Sequence, residues 1–181
     1  MITIGAGKFR SRKIKVPSYL DVPTKSIVRM GIANALGDSL KGAFVLDLFA
    51  GSGAMGIEFI SRGSNGCIFV DKEKEAFEVI EENLSLLKIE NSKVVQSDYF
   101  TALESFKKEN LKFSIIFVDP PYKDFNAYEK SVNFIIDNDL LTEDGILVLE
   151  YEKEPFMNIE FPKEKKYRYG RSGVTIYWRN V

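Results

Sequence analysis

From residue 43 onward, two patterns of apolar and polar positions take turns along the chain. Short, nearly continuous apolar runs are typical of strands buried on both faces, and the stretches between them repeat apolar residues every three or four positions, as amphipathic helices do. Strands are predicted at residues 43–49, 67–71, 93–97, 113–119 and 145–151, and helices at 53–62, 73–88, 99–109 and 127–138. This alternation predicts right-handed βαβ units that build a parallel sheet.

The two ends of the chain carry a different pattern. Residues 1–16 and 165–179 alternate apolar and polar positions around glycine-containing turns, which predicts a small N-terminal β-hairpin and a closing antiparallel hairpin. Between the first hairpin and the core, residues 24–37 have helical spacing. The prediction is therefore an α/β, Rossmann-like fold, with a mostly parallel seven-stranded sheet and helices on both faces.

The size of the chain favours one domain. Its 181 residues suffice for one well-buried core, but not for two ordinary domains and a linker. We expect a single domain over residues 1–181, in which residues 1–40 form a basic hairpin and helix and residues 41–181 form the Rossmann-like core.

Composition excludes several kinds of chemistry. The chain has no histidine and one cysteine, so a serine–histidine–carboxylate triad, a histidine-rich zinc site and an internal disulfide are excluded. Cys67 lies in a predicted buried strand, where it fills the core. The sequence contains neither an apolar run of about 20 residues nor a signal-peptide pattern. We expect a cytoplasmic monomer without a metal and without contact to a membrane.

Charge is unevenly distributed along the chain. The net charge is only −1, yet residues 1–31 contain seven basic side chains against one acidic side chain. Such a basic segment on a neutral body predicts binding to a polyanion, although a solvated charged hairpin explains the same pattern. The candidate phosphate-binding side chains are Lys8, Arg10, Arg12, Lys13, Lys15 and Arg29.

The most informative stretch follows the first predicted strand of the core, where glycines recur in the pattern Gly51-x-Gly53-x-x-Gly56. The first two glycines permit positive φ angles and a close approach of a ligand to the backbone, and the third permits tight packing of the next helix on the sheet. Free N–H groups at that helix start face the ligand. The pattern alone also fits a dinucleotide site, or a turn that binds nothing.

Four aspartates fall at the carboxyl ends of predicted strands, where ligands bind in open α/β sheets. They are Asp47, Asp71, Asp98 and Asp119. Asp71 follows Gly51 by about 20 residues, the spacing at which an acidic side chain meets ribose hydroxyls. Aspartates at strand ends also serve as helix caps and turn formers, so position alone does not decide their role.

The more specific motif is Asp119-Pro120-Pro121-Tyr122. Two prolines stiffen the turn, so that the Asp119 carboxylate and the Pro120 carbonyl are held as two acceptors for one NH₂ group. The ring of Tyr122 offers a flat surface for stacking on a base. The alternative interpretation is a rigid strand-end turn with a surface tyrosine.

With these motifs in place, the sequence resembles class I S-adenosylmethionine-dependent methyltransferases that methylate amines. In particular, it resembles the RsmD family of guanine-N2 methyltransferases that act on small-subunit ribosomal RNA. The glycine and Pro-Pro-Tyr motifs are those of the wider group, whereas the N-terminal arm at residues 4–12 and the Pro23-Thr24 segment point to this family. The sequence departs from the family pattern at Val22, Ser26, Ile27 and Met30.

The resemblance implies a class I methyltransferase fold and a role for each motif. S-adenosyl-L-methionine is the implied cofactor, with its ribose at Asp71 and its adenine near Asp98 and Tyr99. The target base is implied to lie at Asp119 and Tyr122, and the implied partner is ribosomal RNA or a small ribosomal subunit particle. The full implied sets are Asp47, Phe49, Ala50, Gly51, Ser52, Gly53, Asp71, Lys72, Asp98, Tyr99 and Thr24 for the cofactor, and Asp119, Pro120, Pro121 and Tyr122 for catalysis.

Three other functions stay open at the level of sequence. An adenine-N6 or cytosine-N4 amine in RNA or DNA would use the same two acceptors. A dinucleotide-dependent oxidoreductase would use the glycine turn and Asp71, but would leave the motif at residues 119–122 without a role. A non-catalytic RNA-binding relative would bind RNA and not the cofactor.

Overall fold

The computed structural model describes residues 1–20, 26–121 and 124–180. Two predicted site residues, Thr24 and Tyr122, lie outside the described residues. The strands are β1 (Ile2–Thr3), β2 (Lys13–Ile14), β3 (Phe44–Asp47), β4 (Gly66–Asp71), β5 (Lys93–Gln96), β6 (Phe113–Val118), β7 (Leu141–Tyr151), β8 (Lys163–Tyr169) and β9 (Ser172–Trp178). The helices are α1 (Ser26–Leu36), α2 (Ala54–Ser61), α3 (Lys74–Leu86), α4 (Tyr99–Lys108) and α5 (Phe125–Asp137).

The main sheet has seven strands in the order β5-β4-β3-β6-β7-β9-β8. Strands β3 to β7 pair in parallel with one another, and β9 is antiparallel to both β7 and β8. The chain runs outward from β3 to β5 and then returns to place β6 on the other side of β3. The predicted fold is confirmed, and this reversal creates a crevice at the carboxyl ends of β3 and β6, where such folds bind ligands.

Each face of the sheet contributes to its own apolar core, because successive side chains of a strand point to opposite faces. On one face, Val45 and Ile115 lie in a cluster with apolar residues of α1, α2 and α3. On the other face, Leu46 and Ile116 lie in a cluster with residues of α4 and α5. The helices on both faces hold the strand ends in fixed positions, which is what a site at the sheet edge requires.

The N-terminal hairpin is shorter than the sequence predicts. Strands β1 and β2 pair over two residues each, and the chain between them passes through a short 3₁₀ turn at Gly7–Phe9. The reason is docking on α2: the N–H groups of Gly5 and Ala6 donate to the Glu58 carboxylate, and the N–H of Phe9 donates to Ser61 Oγ at 2.9 Å. Because these donors are used on α2, they do not continue the ladder of the hairpin.

Two other predicted boundaries need correction. Strand β7 begins at Leu141 rather than at residue 145, with a register shift against β6 between Phe113 and Ile115. Helix α5 begins at Phe125, where the Asp124 side chain caps it by accepting a hydrogen bond from the N–H of Ala127. A β-irregularity and a side-chain cap are local features that apolar spacing does not reveal.

Candidate active site

The glycine turn between β3 and α2 has the backbone geometry that its sequence predicts. Gly51 and Gly53 have φ angles of +57° and +80°, a region that residues with a Cβ rarely adopt. The turn is closed by a hydrogen bond of 2.8 Å from the N–H of Gly53 to the carbonyl of Ala50. A Cβ at Gly53 would lie 3.3 Å from the Ile80 side chain, so there is no spare room behind the turn.

Asp71 belongs to this turn as well as to its strand. Its Oδ2 accepts a hydrogen bond of 2.8 Å from the N–H of Gly51, and its Oδ1 accepts one of 3.0 Å from the N–H of Glu73. Burial raises the pKa of the Asp71 carboxyl above its ordinary value, and the two N–H donors counteract that rise. The carboxylate therefore fixes the turn while it stays half-exposed at the sheet edge, where ribose hydroxyls would meet it.

Asp47 lies behind the turn rather than on its surface. It is 1 % exposed, and its Oδ2 accepts a hydrogen bond of 3.2 Å from the N–H of Gly56. Burial, with a smaller contribution from the nearby carboxyl groups of Asp119 and Asp71, raises the pKa of Asp47 to about 7. Its Oδ1 is buried without a hydrogen-bond partner. Asp47 therefore supports the turn from behind, through the N–H of Gly56.

Asp98 and Tyr99, predicted to lie near an adenine, follow β5, and two other residues of the predicted cofactor set, Phe49 and Lys72, follow β3 and β4. Phe49 and Tyr99 are half-buried, and their ring centroids lie 5.2 Å apart at a tilt of 41°. Asp98 caps α4, since its Oδ1 accepts hydrogen bonds from the N–H groups of Phe100 and Thr101. Lys72 is exposed beside Asp71. The rings give this part of the edge an apolar surface, and the Asp98 carboxylate is already used by its helix.

Asp119 and Pro120 follow β6 directly, so the strand itself brings them to the crevice beside Asp47. Asp119 is half-buried, Pro120 is buried and Pro121 is exposed. Burial raises the pKa of Asp119 well above its ordinary value, and the adjacent Glu150 carboxyl raises it further. The predicted acceptor pair thus lies at the ligand edge of the sheet, in contact with a second carboxyl group.

Glu150 is a residue that the sequence reasoning missed. It is 7 % exposed, near the carboxyl end of β7, and its carboxyl group is adjacent to that of Asp119, so that each shifts the pKa of the other. A signal was present in the sequence, because an acidic residue interrupts the apolar run Leu147-Val148-Leu149 before Tyr151. A buried carboxyl group in such a run indicates either a partner or a site.

A second missed group lies in residues 17–20, which we call the strap. The N–H and the hydroxyl of Ser18 donate to the two carboxylate oxygens of Glu75 on α3, at 2.6 and 2.9 Å. This anchorage places Leu20 Cδ1 3.1 Å from where a Cβ on Gly51 would lie. Partial burial, reinforced by Asp71 and the other carboxylates nearby, raises the pKa of Tyr19. The strap therefore borders the glycine turn through Leu20.

The cationic side chains of the arm do not lie beside Asp119. The side chains of Lys8, Arg10, Arg12, Lys13 and Lys15 are exposed. The tip of the arm lies at the C-terminal ends of α2 and α3, where Phe9 contacts Ser61 and Arg12 donates to the carbonyl of Leu86. Each helix starts near the carboxyl ends of the strands and runs back towards their amino ends. Because α3 is roughly 20 Å long, its C-terminal end is far from the strand ends that carry the aspartates. The tip is therefore at the opposite edge of the sheet from the aspartates.

Arg29 corrects the prediction for this cationic set. Its side chain is 1 % exposed, its Nε donates to Glu58 Oε1 at 3.2 Å and its Nη2 donates to the carbonyl of Thr3 at 2.8 Å. Arg62 donates to the other oxygen of the same carboxylate. Because its guanidinium group is buried between the arm and α2, Arg29 stabilises the position of the arm and presents no charge to a phosphate.

Within residues 1–20, 26–121 and 124–180, no helix is both long and apolar enough to cross a membrane. In the same part of the chain, no group of three or more aspartate, glutamate, histidine or cysteine side chains is arranged to hold a metal ion.

Comparisons with known proteins agree with this architecture. The model of the family described as Conserved hypothetical protein 95 matches residues 2–178. The "Putative rRNA methyltransferase YlbH" of Bacillus subtilis is 35 % identical over 95 % of this chain and 96 % of its own length. The "Ribosomal RNA small subunit methyltransferase D" of Escherichia coli K12 is 33 % identical over 84 % of this chain and 76 % of its own.

Solved structures show the same similarity. The "Putative methyltransferase yhhF from Escherichia coli" has a TM-score of 0.85 at 30 % identity and covers 99 % of this chain and 98 % of its own. A 16S rRNA N2 G1207 methyltransferase of T. thermophilus, solved with AdoMet and guanosine, has a TM-score of 0.69 at 21 % identity over 91 % of this chain and 45 % of its own. The second similarity establishes the shared class I methyltransferase fold and nothing finer.

Proposed function

The chain belongs to the family described as Conserved hypothetical protein 95, and on that premise we propose that it is an S-adenosylmethionine-dependent methyltransferase of ribosomal RNA. Its target in this proposal is the exocyclic N2 amine of a guanine in the small subunit. The proposal draws on relatives that are named as ribosomal RNA methyltransferases, one of them explicitly for the small subunit.

The observation that carries the proposal is the meeting of two motifs in one crevice. The glycine turn with Asp71 lies at the end of β3, and Asp119 with Pro120 lies at the end of β6, which pairs directly with β3. A dinucleotide-dependent oxidoreductase requires only the first motif. An enzyme that transfers a methyl group to an amine requires both, because the donor and the acceptor must be held side by side.

The residues on the donor side fit S-adenosylmethionine. Gly51 and Gly53 hold positive φ angles in a turn that leaves the backbone open to a ligand, and Leu20 of the strap borders it. Asp71 supplies a carboxylate at the ribose position, and the rings of Phe49 and Tyr99 supply an apolar surface for adenine. When bound, the cofactor supplies a methyl group that its sulfonium has already activated for transfer.

The residues on the acceptor side act on the amine. The carboxylate of Asp119 and the carbonyl of Pro120 are two acceptors on a stiff turn, and each takes one N–H of an NH₂ group. This orients the nitrogen lone pair towards the donor, which is the main requirement of an in-line displacement. As the nitrogen gains positive charge, both acceptors bind it more strongly than they bind the neutral amine, so the barrier falls.

In this proposal the RNA contacts the protein at two places. A guanine amine within folded RNA is out of reach, so the base must be extruded or already unpaired, with the ring of Tyr122 assigned to replace the lost stacking. The tip of the arm, at the opposite edge of the sheet, is assigned to phosphates of a more distant part of the RNA. A substrate that reaches both places must be larger than an isolated hairpin loop, which favours an assembled particle.

The test is methyl transfer from labelled S-adenosylmethionine to small-subunit particles, free ribosomal RNA and DNA side by side, followed by nucleoside analysis. We expect label in N2-methylguanosine. Label in N6-methyladenosine or N4-methylcytidine would support methyltransferase activity but would contradict guanine as the target base. RNA binding without cofactor binding would indicate a non-catalytic relative.

A further inference from the structure

Strand register places Glu150 beside Asp119. Strands β6 and β7 are parallel, with Val118 opposite Leu149. The next residue of each strand is therefore Asp119 and Glu150, about 4.8 Å apart and directed to the same face of the sheet. Their carboxyl groups are adjacent, and each shifts the pKa of the other as a carboxyl–carboxyl hydrogen bond would. Two carboxyl groups can form such a bond only when one of them carries a proton.

No cation compensates the pair within the described residues. None of the salt bridges there involves Asp119 or Glu150, and Glu150 Oε2 is buried without a hydrogen-bond partner. The other titratable groups that face the pair are Asp47 from β3 and Tyr128 from α5, with Asp71 of β4 behind Asp47. The hydroxyl of Tyr128 donates to the backbone carbonyl of Glu150, so this hydrogen bond does not involve the Glu150 carboxyl group.

Two ionised carboxylates in this position would repel each other strongly. The site is largely shielded from water, which weakens screening, and Asp47 adds a third acidic group on the same face. Burial raises the pKa of both carboxyl groups. Glu150 raises the pKa of Asp119 further, whereas the contact with Asp119 lowers the pKa of Glu150 and the charge of Asp47 raises it. The pair therefore titrates as a unit, at a pH above the ordinary carboxyl range.

We infer that Glu150 is a positioning residue that shares a single proton with Asp119, so that the pair presents one negative charge to the target amine and accepts the proton that the amine loses. This inference rests on the proposed function for its chemical consequence, but the shared proton is a property of the folded chain alone.

The step balances in atoms and charge. A nitrogen–methyl bond forms while the methyl–sulfur bond breaks, and the electron pair of that bond stays on sulfur, which becomes neutral. The nitrogen, now cationic, gives up one N–H proton to the Asp119–Glu150 pair. The charge of the pair changes from −1 to 0, and the proton later leaves to solvent. Without Glu150, Asp119 alone would hold either the charge or the proton.

The first test needs no activity. Folding stability of the wild-type protein and of Glu150→Gln is measured by denaturant unfolding from pH 5 to pH 9, and the slope against pH gives the protons bound on folding. A carboxyl group that stays protonated when folded binds a proton that the unfolded chain has released. We expect the wild type to bind about one proton more than Glu150→Gln at pH 6–8. Equal proton numbers would overturn the inference.

The matched control is Glu143→Gln, the same chemical change at an exposed position of the same strand. It should leave the proton number unchanged. Because glutamine keeps the size of glutamate and its amide can donate to Asp119, Glu150→Gln should fold. If it does not, Glu150→Ala with the same measurement replaces it, since that variant also removes the shared proton.

The second test uses methyl transfer. In Glu150→Gln we expect the pH profile of kcat to change shape, because one macroscopic ionisation is lost, while the Kd for S-adenosylmethionine stays within a few-fold of wild type. An unchanged profile would overturn the inference. If the wild-type protein methylates no RNA, the proposed function fails, and the proton number still decides whether the pair exists.

Discussion

At the scale of single residues, the glycine turn and the carboxyl groups around it are the parts of the chain where a small change in one side chain should alter ligand binding most. Gly53 combines a φ of +80° with a Cβ position that lies 3.3 Å from Ile80. Asp71, Asp119 and Asp47 lie at three neighbouring strand ends in this crevice. Substitution here should therefore separate binding from stability more cleanly than substitution in the core.

Gly53→Ala should weaken S-adenosylmethionine binding strongly, because the added methyl group is directed at the Ile80 and Phe69 side chains and displaces the turn that holds the cofactor. It should also lower the free energy of unfolding by about 1–2 kcal/mol, the cost of holding a residue with a Cβ in the left-handed region. Calorimetry gives the first number and denaturant unfolding gives the second.

The control is Gly42→Ala, since Gly42 has a φ of +72° with nothing within 4 Å of its Cβ position. It should cost similar stability and leave cofactor affinity unchanged. If Gly53→Ala bound S-adenosylmethionine with wild-type affinity, the glycine turn would not be part of the cofactor site.

Tyr122 lies outside the described residues, so its assignment stays a prediction from its motif. Tyr122→Ala should reduce methyl transfer severely, because base stacking contributes roughly 1–3 kcal/mol. Tyr122→Phe should be mild, since the ring is kept. Steady-state kinetics on the same RNA distinguishes the two, and equal damage from both variants would show that the hydroxyl carries the function.

At the scale of elements, a buried ionic group joins the arm, α1 and α2. Glu58 is fully buried, and it accepts hydrogen bonds from Arg29, Arg62 and the backbone of the arm. Docking of the arm on α2 thus depends on one carboxylate. The amphipathic pattern of residues 24–37 predicted α1, but it did not predict that Arg29 would turn inward, because a charged residue at such a position is normally exposed.

Glu58→Gln should lower the free energy of unfolding by about 3–5 kcal/mol, because it removes the buried negative charge that Arg29, Arg62 and the backbone of the arm share. Urea unfolding measures this. Glu78→Gln, which breaks the exposed pair of Lys74 and Glu78, should change stability by no more than about 0.5 kcal/mol. Equal effects would mean that the buried group does not hold the arm.

The arm itself gives a second prediction at this scale. Replacing Lys8, Arg10 and Lys13 by Gln should weaken RNA binding and flatten its dependence on salt, by about 0.7–0.9 in the log–log slope for each phosphate contact removed. Lys107 and Lys108, at the exposed end of α4 on the other face, are the matched control. An RNA affinity and a salt slope equal to those of the wild type would show that these arm residues are solvated and do not contact RNA.

At the scale of the whole molecule, buried acidic groups make stability depend on pH. The pKa of the Asp47 carboxyl rises from 3.8 to about 7 on folding. The folded chain therefore keeps a proton that the unfolded chain releases, and stability falls as the pH rises through that window. Asp47→Asn should remove this contribution, so that the variant gains stability relative to wild type between pH 4 and pH 7.

Unfolding midpoints across that range check the prediction, and the slope should change by up to about 1.4 kcal/mol per pH unit, which is one proton. Exposed Asp38, changed to Asn, should leave the slope as it is. The same slope in wild type and Asp47→Asn would show that Asp47 is ionised throughout.

Much of the fold was predictable because apolar spacing reports burial directly. The parallel strands, the closing hairpin and the edge that carries Asp47, Asp71 and Asp119 all follow from periodicity and from the alternation of elements. The contacts of Glu150 with Asp119, and of Ser18 with Glu75, join residues 31 and 57 positions apart. Such contacts depend on strand register and on the path of the arm. Neither can be predicted from the local spacing of apolar residues.

The central claim is that Asp119 binds the target amine more tightly as it becomes cationic, and one measurement tests it directly. Turnover and the Kd for S-adenosylmethionine are measured for Asp119→Ala and for wild type, on the RNA that the wild type methylates. The account predicts that kcat falls by at least about 10²-fold, roughly 2.7 kcal/mol, while the Kd stays within a few-fold. Near-normal methyl transfer by Asp119→Ala would contradict it.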